Sequence, residues 1–325
     1  MGRITGLAIL LTLLAVLLVI SMATGPYKGL GLGDAVSYLL GRYQGEGGGV
    51  LHYRLLRSMA AILAGAALAG SGASIQYILK NPLADPYLLG ISSGAALGVL
   101  LLVYHTGSPP AYSVYGAAFA AGMAGFGLIL GVAGMLGLST TALIVAGVSI
   151  SYLLGGASMI IITRLGDRLP GAFAWLFGTV AYVTSDMLLY TGVAAGIGVA
   201  GLALLSRRIG VLLVGEEMSR GMGVNVERVR LLTSILAALT ASSVVAMAGP
   251  IGFIGLAGPW LARLLVGSWF PEVLAASLAS GAVLTLFSDV SIRLIGGGEL
   301  PLTAVSSLYG GAALFYLTIK TRRGL

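Results

Sequence analysis

Long apolar stretches follow one another along nearly the whole of this 325-residue chain, separated by short polar breaks. A helix needs about 20 apolar residues to cross a hydrocarbon core of ~30 Å. Only 9% of the residues are charged, and 58% are apolar before the 51 glycines are counted. A soluble domain carries roughly 25% charged residues and about 45–50% apolar ones, glycine included. A water-facing surface cannot be assembled from such a supply, so a soluble globular fold is excluded. The glycines follow no three-residue period and prolines number only 10, which excludes a collagen-like fibre. No alternating barrel pattern is visible, and an open sheet edge is not tolerated in lipid, so the spans are helices.

The expected fold is therefore an all-α integral membrane protein, a single transmembrane domain over 1–325. Ten spans are read at 4–24, 56–78, 87–104, 112–136, 141–163, 187–206, 229–248, 253–267, 274–292 and 301–319. Arg3 and the apolar run from Ile4 to Ala23 could pass for a signal peptide. The run exceeds the 7–15 residues of such an h-region and reads as a retained first span. Glycines four apart, Gly94 with Gly98, Gly127 with Gly131 and Gly192 with Gly196, are expected to let helix backbones approach closely.

Basic residues set the orientation. An even number of spans puts both termini on one side, and Arg3, Lys320, Arg322 and Arg323 make that side the cytoplasm. Lys80 and a charged segment at about 207–230 fall inside as well. That segment holds eight of the chain's charged residues, which comprise 18 Lys and Arg and 11 Asp and Glu. Arg54, Arg57, Arg164, Arg168 and Arg293 fall outside, against the tendency. The net charge of +7 is spread over many span ends and forms no dense basic face for nucleic acid.

A faint internal repeat is present. Arg54-Leu55-Leu56 opens a span leading to Asn81-Pro82-Leu83-Ala84, and Arg230-Leu231-Leu232 opens another leading to Ala257-Gly258-Pro259-Trp260. The first starts outside and the second inside, so the halves are inverted, as in many transporter folds. Within the charged segment, Glu216 and Glu217 suit the positive end of a short helix. Gly221 and Gly223 are expected to end that helix through permissive torsions, and Asn225 to cap the next span. The turn Leu138-Ser139-Thr140-Thr141 reads as an N-cap. Asp289 and Arg293, four apart, read as an ion pair near a span end.

Three stretches carry a resemblance. They are Ser71-Gly72-Ala73-Ser74-Ile75-Gln76, then Asn81-Pro82-Leu83-Ala84-Asp85-Pro86, then Leu89-Gly90-Ile91-Ser92-Ser93-Gly94-Ala95. Further matches follow at Gly215 to Val224, Gly249 to Leu256, Asp289 with Arg293, and Glu299-Leu300-Pro301. Together they resemble the type II ABC importer permeases of the iron-siderophore, haem and cobalamin (FecCD-type) family. Trp260 stands where that family usually has histidine.

The resemblance implies a homodimer around a central path, two separate ATPase subunits inside and one substrate-binding protein outside. It makes Glu216, Glu217, Met218, Ser219, Arg220, Gly221, Met222 and Gly223 the ATPase-coupling element. Ser139, Thr140 and Thr141 become a cytoplasmic gate, and Arg54, Arg57 and Arg293 the docking arginines. The implied cargo is a siderophore, haem or cobalamin, with a molybdate- or tungstate-type oxyanion as the alternative.

No Gly-x-x-x-x-Gly-Lys-Ser/Thr loop occurs, so ATP is expected on the partner and no cofactor on this chain. Neither catalytic residues nor a metal site are expected, since the two histidines, His52 and His105, are isolated and cysteine is absent. The rival reading is an ion-coupled secondary transporter. It needs acids at mid-membrane, where the spans offer almost none.

Overall fold

The computed structural model describes residues 3–27, 29–166, 175–296 and 298–322, with side chains described except at 3, 4, 313, 314 and 316–322. Arg168 lies outside these residues, as do the side chains of Arg3, Lys320, Arg322 and Arg323. Twelve α-helices occur among the described residues. They are α1 (Arg3–Ala23), α2 (Leu32–Leu39), α3 (Gly48–Ile78), α4 (Ile91–Thr106), α5 (Ala111–Met135), α6 (Thr140–Leu165), α7 (Ser185–Val211), α8 (Glu216–Gly221), α9 (Val226–Ala248), α10 (Ile254–Val266), α11 (Phe270–Ile295) and α12 (Leu302–Arg322).

Ten of these helices fall on the ten expected spans, while α2 and α8 are short connectors. Seven are long and apolar enough to cross a bilayer: α1, α3, α5, α6, α7, α9 and α11. α4 and α10 have only 16 and 13 residues. At 1.5 Å per residue they reach about 24 and about 20 Å, short of the ~30 Å core.

Two limits differ from expectation. α3 begins at Gly48 rather than 56, and α7 runs on to Val211, so Arg207 and Arg208 end a helix instead of lying in a loop. In both cases a helix continues through arginines that a hydropathy reading takes as its end. For α3 the reason is that Arg54 and Arg57 are buried and paired, as described below.

The packing repeats. α3 packs on α10 and α11 while α9 packs on α4 and α5; α4, α5 and α6 contact one another as α10, α11 and α12 do. Exchanging α3–α6 with α9–α12 therefore maps this set of contacts onto itself, with α3 against α9 at the centre. α3 is the second span and α9 the seventh, so the two halves run in opposite directions. Both short helices follow a break after the long central helix of their half. α3 and α9 are mostly buried, whereas few residues of α6 and α7 are.

Glycine sets how closely α3 approaches α10 and α11. A Cβ on Gly65 would lie 2.1 Å from the Gly281 carbonyl oxygen, and one on Gly72 would lie 1.9 Å from that of Gly255. Main chain cannot yield at such contacts, so any side chain forces the helices apart. Gly94 and Gly98 meet α5 in the same way. Gly127, Gly131 and Gly196, however, have nothing within 4 Å, and Gly192 touches only Leu63 at 3.9 Å. Their expected role in close packing fails within the subunit, because each faces outward from the bundle.

Gly65→Ala and Gly281→Ala are each expected to cost about 1–3 kcal/mol through overpacking. Gly127→Ala and Gly131→Ala should be neutral within about 0.5 kcal/mol. Thermal unfolding in detergent, followed by tryptophan fluorescence, separates the two classes.

Candidate functional site

Three clusters gather the residues that the sequence singled out. One lies at the end of the bundle where α3 begins and α11 finishes. Arg57 Nε donates to Asp289 Oδ1 at 2.8 Å, and its Nη1 and Nη2 reach Glu299 Oε1 at 2.6 Å and Oε2 at 3.0 Å. Arg293 approaches the second Asp289 oxygen at 2.7 Å and donates to the Ser21 carbonyl, also at 2.7 Å. Arg54 donates to the carbonyls of Met22 at 2.8 Å and Tyr27 at 3.1 Å.

The three arginines therefore converge, but not as free surface charges. The side chains of Arg54, Arg57 and Arg293 are at most 5% exposed and hold partners from α1, α3 and α11. Asp289 is wholly buried and bridges two guanidinium groups, more than the simple ion pair expected of it with Arg293. Glu299, 37% exposed, closes the cluster from the outside. Three cations against two carboxylates leave one positive charge. The arginines line a depression of about 410 Å³ with Tyr27, Tyr53 and Glu299.

At the opposite end, the loop after α7 turns at Gly215, φ 114°, into the six-residue helix α8. Glu216 and Glu217 sit in its first turn, as the helix dipole favours. Met218 and Met222 are more than half exposed, next to exposed Leu213 and Val214. Ser219 faces inward, its hydroxyl bonded to the Val211 carbonyl at 3.0 Å. Arg220 pairs with Glu227 at 2.5 Å on the surface.

Of the two glycines expected to end α8, only Gly223 uses a left-handed torsion, φ 79°. Gly221 is the last helical residue, with open space where a Cβ would be. Asn225 caps α9 by accepting from the Arg228 amide at 2.8 Å.

Glu216 is held by Arg230, which is 3% exposed. That hydrogen bond is the main reason the Glu216 carboxyl lies below the ordinary carboxylate range, with Lys80 and Arg220 adding to it. A depressed carboxylate contributes its contact above its ordinary pKa and loses it as the pH falls through the lowered value. The pair is therefore intact throughout the neutral range. Arg230 also donates from Nη1 to the Leu138 carbonyl at 2.9 Å. One residue later, the Ser139 side chain caps α6 by accepting from the Ala142 amide at 3.1 Å. Thr140 is half-buried beside the Ile78 carbonyl, and Thr141 is exposed.

The third cluster joins the two broken helices. Asn81 Oδ1 accepts from the Leu83 amide at 2.9 Å, and Asp85 caps the 3-10 turn Pro86–Leu89, with Pro86 as its first residue. Pro82 lies in the turn between them and, without an amide hydrogen, cannot continue α3. Tyr87 exchanges hydrogen bonds with the main chain of Ile251, 3.1 Å to its oxygen and 2.8 Å from its nitrogen. Gln76 accepts from Arg263 Nη1 at 2.6 Å and donates to the Ala84 carbonyl at 3.1 Å. The main chain at the second break is thus answered by Tyr87 of the first half, while the first break is answered by Gln76 of its own helix, which Arg263 of the second half holds in place.

In the sequence, Gln76, Arg230 and Glu299 stand out only as parts of a motif or repeat and Tyr87 not at all; the partners described here lie 8 to 242 residues away. For Asp289→Ala, two buried arginines lose their shared counter-ion, and a loss of about 3–5 kcal/mol is expected. Glu299→Ala, at the exposed rim, should cost less than about 1 kcal/mol. Unfolding midpoints of the two variants, measured side by side, check the difference.

Residues 13–320 match the FecCD transport family. The iron(3+)-hydroxamate import system permease protein FhuB of Bacillus subtilis is 33% identical over 276 residues, 84% of this chain and 71% of that protein. The Fe(3+) dicitrate transport system permease protein FecC of Escherichia coli is 34% identical, covering 85% and 83% of the two chains. The hemin transport system permease protein HmuU of Yersinia pestis is 33% identical, covering 84% and 83%. A solved inward-facing structure of a metal-chelate type ABC transporter superposes with a TM-score of 0.85 at 27% identity, over 98% of this chain and 100% of that one.

Proposed function

The chain belongs to the FecCD transport family of ABC importer permeases, and from that premise we propose that two copies enclose a path for an iron chelate, driven by two separate ATPase subunits and fed by one substrate-binding protein. Such permeases are non-catalytic, multi-pass proteins of the plasma membrane. On this reading the α8 end is cytoplasmic, together with both termini, and the arginine end faces out.

The observation that carries the proposal is α8. It is a short charged helix that points two methionines and the edge of Gly221 outward while its base is fixed on buried Arg230. A partner subunit can grip such a feature without disturbing the bundle, and ATP binds to that partner. The exposed, apolar and glycine-bearing face of α6 supports a second copy across the path, with Ser139, Thr140 and Thr141 as its cytoplasmic constriction.

Docking of the binding protein uses the depression of about 410 Å³ at the other end. Its residual positive charge suits an acidic surface on the partner. The cargo is proposed as an iron chelate because three relatives named for hydroxamate, citrate and haemin systems are 33–34% identical to this chain.

Gly221→Ile tests the coupling element. Nothing lies within 4 Å of the position, so the variant should fold and assemble as the wild type does. A β-branched side chain on the gripped face should lower ATP-driven uptake about tenfold or more, a coupling loss of roughly 1.4 kcal/mol. Uptake into reconstituted vesicles measures it. Unchanged uptake together with unchanged ATPase assembly would remove α8 from the mechanism.

A further inference from the structure

Arg230 joins two elements that the functional reading keeps apart. Its Nη2 holds Glu216, the first residue of α8, and its Nη1 holds the Leu138 carbonyl at 2.9 Å. Leu138 is not an ordinary turn residue. It has φ 50°, in the left-handed region, and its own amide closes α5 on the Ala133 carbonyl at 2.8 Å. A side chain other than glycine in that region is strained and persists only where its surroundings hold it. The guanidinium is one such hold, and the next residue, Ser139, is the cap from which α6 starts.

We propose that Arg230 is the positioning residue through which a movement of the coupling helix α8 reaches the cytoplasmic gate turn 138–141. The proposal rests on the reading of α8 and of the gate given above. The mechanics follow from the chemistry of the group. Guanidinium is planar, so its two terminal nitrogens cannot move independently. A pull on Glu216 tilts the plane and so displaces the donor that faces Leu138. The Coulombic attraction to Glu216 keeps the side chain engaged, because a buried cation is costly to leave alone. Nε is buried and without a hydrogen-bond partner among the described residues, so no third contact pins the plane in one orientation. The stem rises from the first turns of α9, a central and largely buried helix, which supplies a fixed pivot.

The arrangement makes a demand that a plain capping role does not. A residue that only stabilises the α5–α6 turn would change unfolding without changing how the gate answers nucleotide. A relay changes that answer while the ATPase stays attached. Lysine cannot replace arginine in a relay, since a single ammonium does not span both acceptors in a fixed geometry.

The test uses the complete importer in lipid vesicles, with Thr141→Cys as the only cysteine in the permease. Inter-subunit cross-linking at that position is compared without nucleotide and with a non-hydrolysable ATP analogue. With Arg230 intact, the yield is expected to change between the two states. With Arg230→Gln the change should be lost and uptake should fall about tenfold, within the usual range of coupling between sites. The ATPase should still co-purify, and Arg230→Lys should restore neither property in full. If Arg230→Gln keeps both the nucleotide response and the uptake, the relay is overturned while α8 and the gate stand. If that variant does not give a monodisperse protein, Glu216→Ala carries the test from the exposed end, and a normal nucleotide response there overturns the relay. A cross-link insensitive to nucleotide even with Arg230 intact would overturn the gate itself, and the relay with it.

Discussion

Backbone contact between the two halves governs this structure. Lipid offers no partner for a free amide or carbonyl, so a helix broken inside the membrane must find its partners in the protein. Here the break after α9 finds them in Tyr87 of the first half, which bonds Ile251, and the break after α3 finds one in Gln76, which bonds Ala84 and is itself held by Arg263 of the second half. That exchange is possible only because the segments touch, and they touch because Gly72 and Gly255 carry no side chains. The inverted repeat, the two short helices and the central position of α3 and α9 all follow from this one requirement.

Charge is distributed by the same logic. Asp289 sits where two arginines can share it, binding α11 to α3, while Arg293 and Arg54 fasten the end of α1 to the same cluster. Burying ions is costly unless every charge is answered, and the cluster leaves one positive charge facing a depression. At the other end a single buried arginine is answered by an acid on a surface helix and by one carbonyl. The first arrangement fixes one end of the bundle. The second leaves a short helix free to be moved from outside.

Much of this was legible in the residues. The ten apolar helices follow from hydropathy, because apolarity is a local property, while only seven of them, among the described residues, are long and apolar enough to cross. The turn at Asn81–Pro86 and the cap at Asn225 were equally readable, since proline, Asx turns and caps act within a few residues. The burial of Arg54, Arg57 and Arg293 was not. An arginine near a span end looks the same whether it faces water or an acid 232 or 242 residues away, as Arg57 does. Gly127 and Gly131 repeat the spacing of Gly94 and Gly98 yet touch nothing, because spacing marks a face without saying what covers it. Arg230 opened one copy of the repeat in the sequence, but its bond to Glu216 crosses the turn between α8 and α9, where no period applies.

The proposed transport of an iron chelate draws its energy from a partner at α8. It is tested most directly by uptake of a radiolabelled iron chelate into vesicles holding the permease, the ATPase and the binding protein. ATP is sealed with the ATPase face and all ion gradients are collapsed by ionophores. The account predicts that uptake proceeds under those conditions and stops when ATP is omitted. Uptake that ignores ATP and requires a proton or sodium gradient would contradict it.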